Sequence, residues 1–257
     1  MKTMLFGFFI VLAVFAFVVA APMAMADTIT IAGDEFGPYN TDPKSSMPGY
    51  GVEIAKRVFE AAGHTVNYNL MPWNRAVKKV RQGEYNAVIS AYRSCAPDFV
   101  FPDEEFGNSR ITFFTRKGKQ WKFKGVDSLS SVSVCLIKDY SYGEELSNFF
   151  KEHEDRVQYV FGSEALLLNI KKVAAGRCDV TIGDQNMVLQ KARNLGVADQ
   201  IVRAGYLGPG ENVYVAFSPE NPGSKEYAEI LSKGIRKLKQ SGELDKILEK
   251  YGVEYWK

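Results

Sequence analysis

One order of elements occurs twice along this chain, and it restricts the fold more than any other feature. From Asp27, "TITIAG" reads as a strand closed by Gly33. "GYGVEIAKRVFEAAGH" then places Val52, Ile54, Ala55, Val58, Phe59 and Ala62 at helical spacing. "TVNYNLM" alternates as a second strand, "WNRAVKKVRQGE" is a helix ended at Gly83, and "YNAVISA" is a third strand. The series restarts with "SVSVCLI" (131–137) as strand, "YGEELSNFFKEH" as helix, "VQYVFG" as strand, "SEALLLNIKKVAAGR" as helix and "CDVTIGD" as strand. Strand-helix alternation of this kind forces parallel strands, because each helix must return the chain across a sheet face. Two such units predict an α/β protein of two lobes, each built on its own parallel-type sheet.

The connecting pieces say how the lobes are joined. "RITFFTRKG" (110–118) leads out of the first unit and "ENVYVAFSP" (211–219) follows the second, both extended and β-rich. The chain is expected to cross near 115 and return near 214. That gives lobe one residues 27–115 plus 214–257, and lobe two residues 116–213. The last helices, "SKEYAEILSKGIRKLKQSG" and "ELDKILEKYG", are expected on lobe one. A double crossover makes a two-stranded hinge, and hinged lobes close on ligands.

Residues 1–26, "MKTMLFGFFIVLAVFAFVVAAPMAMA", set one lysine before an apolar run, followed by Pro22 and a small-x-small ending. This reads as a secretory signal peptide cleaved before Asp27, with an uncleaved membrane anchor as the alternative. Its removal takes one lysine from a chain of formal charge +2, so the mature protein is electrostatically balanced. With no basic run, nucleic acid is not an expected partner. In an oxidising compartment the three cysteines predict one bridge and one free thiol. Cys135 and Cys178, in two strands of the same half, are the favoured pair, which leaves Cys95 over. With two histidines and no CxxC, neither a structural metal site nor a cofactor is expected.

Ligands of open parallel sheets sit outside the carboxyl ends of the strands. In the first unit these ends carry "DEFGPY", "MPWNR" and "SAYRSC". Arg93 offers a planar fork suited to a carboxylate, or it pairs with Asp98 or Asp103. Arg75 has the same two readings. Trp73, Tyr92, Phe36 and Tyr39 either wall a small ligand or pack in the core, and Ser90 stands with them at the strand end. In the second unit, Ser141 and Tyr142 follow a strand and open a helix. Ser141, three residues before Glu144, has capping-box spacing, and the free N–H groups of the same turn also suit an anion. Asp184 either holds an ammonium group or ends its strand in a turn.

Taken in order, "GYGVEIAKRVFEAAG", "MPWNRAVKKVRQGEYNAVIS", "FVFPDEEF", "SYGEEL", "KKVAAGRCDVTIGD" and "LKQSGELDKILEKYG" resemble the bacterial extracellular solute-binding proteins of family 3, over nearly the whole mature chain. The resemblance implies a two-lobed periplasmic-binding-protein clamp of type II, an amino acid or related carboxylate as small-molecule ligand, and a membrane ABC permease as partner. It implies a periplasmic, monomeric binding protein and not an enzyme. In that family an arginine of lobe one holds the ligand carboxylate and an aspartate of lobe two its ammonium; Asp184 falls on the latter position. The segment "AYRSCAPDFVFPDE" is shorter than the family's, so the usual arginine position falls near Cys95, and Arg93 is a displaced substitute or none. Two other functions remain on this scaffold, a dehydratase-like enzyme with Glu35 or Asp34 as its acid or base, and a sensory module that presents ligand to a receptor.

Overall fold

The computed structural model describes residues 26–140 and 142–256. The signal peptide expected over 1–26 lies, but for its last residue, outside the described residues, as does Ser141. The first unit comprises β1 (Thr28–Gly33), α1 (Tyr50–Ala61), β2 (Thr65–Leu70), α2 (Trp73–Arg81), β3 (Ala87–Ala91) and β4 (Gly107–Ser109). The second comprises β5 (Ile111–Arg116), β6 (Val134–Ile137), α3 (Glu144–Glu152), β7 (Val157–Val160), α4 (Ala165–Ala174), β8 (Val180–Asp184), α5 (Gln185–Asn194) and β9 (Ile201–Tyr206). The chain ends with β10 (Glu211–Phe217), α6 (Ser224–Ser241) and α7 (Glu243–Lys250).

Two five-stranded sheets result, in the orders β2-β1-β3-β10-β4 and β7-β6-β8-β5-β9. In each, three parallel strands are followed by two antiparallel pairings, so that only β10 in the first sheet and β5 in the second run against the rest. Every residue of β3 is buried because both of its faces are covered. One face carries α1, α6 and α7 through Ile54, Phe59, Leu231 and Ile235; the other carries α2 through Ala76 and Val80. Full burial of a side chain such as Phe59 contributes about 2–3 kcal/mol. The α1–α6 contact is close enough to require glycine at Gly234, where a Cβ would run into the Val58 side chain. Helix α6 stops at Gly242, whose φ of 73° is the left-handed conformation that ends helices.

Four features differ from the sequence reading. The crossing into lobe two occurs at Arg110, not near 115: β5 pairs with β8 and β9, and the consecutive residues Phe113 and Phe114 fill the cores on opposite faces of the second sheet. The return runs through 207–210, ahead of the expected 214, because β10 pairs with β3 and β4 from Glu211 onward. Between Gln185 and Tyr206 the chain adds α5 and β9, where the sequence reading had assigned no element. The strand read over 131–137 begins at Val134, after a 3-10 turn over Val126–Ser131.

The two hinge passages are tied together. Arg110 donates to the Pro209 carbonyl through Nε (3.1 Å) and Nη2 (2.8 Å) and lies over the Tyr206 ring at 4.8 Å. In lobe two, a disulfide joins Cys135 of β6 to Cys178 just before β8, with Cα atoms 6.2 Å apart, and Cys95 is free and exposed.

Candidate functional site

The carboxyl ends of β1 and β3 are fastened by a buried polar cluster. After β1 the chain turns back so that Phe36 and Asn40 exchange backbone hydrogen bonds, and the Phe36 and Tyr39 rings stack at 4.6 Å. Asn40, fully buried, donates to the Tyr68 hydroxyl at 2.9 Å and accepts from the Ser90 hydroxyl at 2.5 Å. Ser90 has φ 64°, a conformation that costs a non-glycine residue energy and is held here by that bond. Ser90 therefore shapes the β3 end facing the crevice.

Asp184, last residue of β8, is the point where the lobes meet chemically. Its Oδ1 accepts from the Met187 backbone N–H at 2.9 Å, capping α5. Its Oδ2 accepts from Ser109 Oγ at 2.8 Å and from the Tyr39 hydroxyl at 3.0 Å. Asn186 Nδ2 in turn donates to the Tyr39 oxygen at 3.0 Å. Asp184 thus caps a helix through one oxygen and accepts from two lobe-one hydroxyls through the other. Burial raises the Asp184 pKa, against the lowering effect of the Met187, Ser109 and Tyr39 donors. Burial also lifts Tyr39, and it pushes Tyr92 up to about 12 beside Ser109 and Asp184.

A cavity of about 400 Å³ opens beside this junction. Glu35 and Gly37 line it from lobe one, and Tyr140, the Gly162–Leu166 turn, Asp184, Met187, Gln190 and Lys191 line it from lobe two. Gly37 approaches α5 so closely that a Cβ there would stand 2.7 Å from Gln190 Oε1. A groove of similar size, about 440 Å³, lies between α1 and α6. It is far from the strand ends, so the inter-lobe cavity is the one placed where an open α/β sheet receives its ligand.

The other sequence candidates are distributed differently. Arg93 is exposed and lies off the cavity: Nη2 donates to the Pro102 carbonyl at 2.8 Å, and the guanidinium stacks over Phe101 (5.0 Å) and Tyr214 (4.7 Å). Of the two acids weighed as its partner, Asp98 and Asp103, Asp98 is held by Arg81 instead, at 2.7 and 3.1 Å. Arg75 is exposed on α2, and Trp73 packs against the α2–β3 core; neither lines the cavity. Tyr142 is a core residue of lobe two, its hydroxyl accepting from the Ile137 N–H at 2.8 Å, so alternation after the strand carries it inward and Tyr140 outward. The residues missed by sequence reasoning are Tyr140, Ser109, Asn186, Gln190 and Lys191. The last three belong to α5, whose signal was the Asp184 cap itself.

Two lobes on a double hinge, with a cavity at the carboxyl ends of their strands, define a ligand-closing clamp. The model of the bacterial extracellular solute-binding proteins, family 3, matches residues 29–254, and the chain belongs to that family. It is 22% identical over 216 residues to the L-cystine-binding protein TcyA of Bacillus subtilis, covering 83% of this chain and 75% of TcyA. It is 20% identical over 235 residues to the arginine-binding periplasmic protein of Mannheimia haemolytica, covering 89% and 92%. Among solved structures it resembles one from the work on glutathione import via GshT and the cystine ABC importer TcyBC of Streptococcus mutans. The TM-score is 0.66 at 22% identity, with 90% of this chain and 97% of the other covered.

Proposed function

We propose that this protein is a monomeric periplasmic receptor that captures an amino acid or a closely related solute between its lobes and hands it to a membrane ABC permease. The observation that carries the reading is the cavity walled from both lobes at the strand ends, beside a hydrogen bond from Tyr39 of lobe one to Asp184 of lobe two. The relatives named above are binding proteins for cystine and arginine, which supports an amino-acid solute and a transport role over a catalytic one. Neither histidine faces the cavity: His64 is buried beside Asp27, and His153 stacks on Phe149.

A thermal-shift screen of residues 27–257 with amino acids, dicarboxylates and aromatic acids tests the proposal, each hit being assayed for chemical change. A stabilising solute recovered intact is the expected result. Conversion of the hit to a product would replace transport by catalysis.

A further inference from the structure

The charge on the cavity walls is uneven. Three carboxylates line it, Glu35, Glu164 and Asp184, against the single ammonium of Lys191. Asp184 already accepts three hydrogen bonds from the protein's own donors. Glu35 from lobe one and Glu164 from lobe two are different: both are exposed, and neither carboxylate has an ion-pair or hydrogen-bond partner among the described residues. No arginine lines the cavity, since Arg93 and Arg75 stand elsewhere. Ile137, Leu166, Met187 and Tyr140 line the same cavity, an apolar surface that suits an aliphatic stem or a planar cation.

We infer that the solute this cavity takes is an organic cation, with a guanidinium or ammonium head seated between Glu35 and Glu164 and an aliphatic stem along Tyr140 and Met187. The assignment rests on the solute-binding reading and specifies the charge of the ligand. Each lobe supplies one acid, so a positive head can be met by a carboxylate from either wall of the cavity. An anionic solute would add a third negative charge to that pair and oppose closure. Lys191, on α5, is the one cation placed to meet a carboxylate at the other end of such a molecule.

The test is calorimetric titration of residues 27–257 with four probes: arginine, agmatine (which lacks the carboxylate), citrulline (the neutral counterpart of arginine) and glutamate. Arginine or agmatine is expected to bind at least about tenfold more tightly than citrulline, with glutamate weakest. Comparison of arginine with agmatine reads the contribution of the carboxylate. Glu35→Gln combined with Glu164→Gln, both exposed positions, is expected to remove most of the preference for the charged probes while leaving the unliganded melting temperature unchanged. Tighter binding of citrulline or glutamate than of either cation would overturn the cationic class and leave the solute-binding reading standing. Absence of binding by all four would also overturn it, and the solute-binding reading would fall only if the wider thermal-shift screen were empty too. A charge preference unchanged in the double variant would move the cation to other residues and equally overturn the assignment.

Discussion

The Tyr39 hydroxyl of one lobe lies 3.0 Å from the Asp184 carboxylate of the other and 2.9 Å from the Asn108 carbonyl in the hinge strand. One phenolic proton serves two acceptors, while Asn186 donates to the same oxygen. Tyr39→Phe therefore removes an inter-lobe tie without changing the shape of the loop. It is expected to lower stability by about 1–2 kcal/mol. Small-angle scattering of the unliganded protein should show a larger radius of gyration than the wild type.

The raised pKa of Asp184 has a sign that can be measured. An acid whose pKa is higher in the folded state than its ordinary 3.8 binds more protons folded than unfolded through the window between the two values. Its contribution to stability therefore rises as pH falls into that window. Asp98 and Asp179 are shifted downward, Asp98 chiefly by its bond from Arg81, so they contribute the opposite slope, losing stability as pH falls. The difference between wild type and Asp184→Asn isolates the one group. Urea midpoints should favour the wild type progressively as pH falls from neutral toward 4, and a difference moving the other way would mean that the donors outweigh burial.

Arg93, which the sequence offers either as a carboxylate fork or as a structural ion-pair partner, is expected to behave structurally. Arg93→Ala loses the bond to the Pro102 carbonyl and the stacking on Phe101 and Tyr214. A loss of about 1 kcal/mol in stability follows from these contacts. Solute affinity measured by titration should stay within about twofold. Under the carboxylate-fork reading of Arg93, its removal would instead abolish binding and leave the unliganded protein nearly as stable as before.

The Cys135–Cys178 bridge closes a long stretch of lobe two, with a sequence separation of 43. Replacing both cysteines by alanine is expected to cost about 2–4 kcal/mol. Since the bridge holds β6 to the start of β8, the loss should appear as earlier hydrogen exchange in lobe two while the lobe-one strands keep their protection.

The two-lobed architecture was legible because helical and strand periods differ and the βαβαβ order occurs twice. Which sheet a strand joins was not: Phe113 and Phe114 read as an extended pair in either lobe, and only their burial on opposite faces of the second sheet fixes the crossing at Arg110. Helix α5 escaped notice because only Asn186, Val188 and Ala192 of its residues are buried, too weak a stripe to stand out. Of the site, strand-end reasoning led to Asp184, Tyr39 and Ser90. It did not separate Tyr140 from Tyr142, whose roles depend on a turn where Asp139 takes φ 63°. The surroundings of Arg93 were not legible either: its side chain turns back onto Phe101 and onto Tyr214, which comes from the distant strand β10 that adjacent sequence does not reveal.

Gly37 gives the most direct test of capture between the lobes, since a bulky side chain there enters the space held by Gln190 and wedges the lobes apart without altering either core. Calorimetric titration of wild type and Gly37→Trp with any solute found by screening measures the effect. The prediction is saturable one-to-one binding by the wild type and an affinity lower by at least about a hundredfold in the variant, about 2.7 kcal/mol. Equal affinity in the two proteins would place the solute outside the inter-lobe cavity and contradict the account.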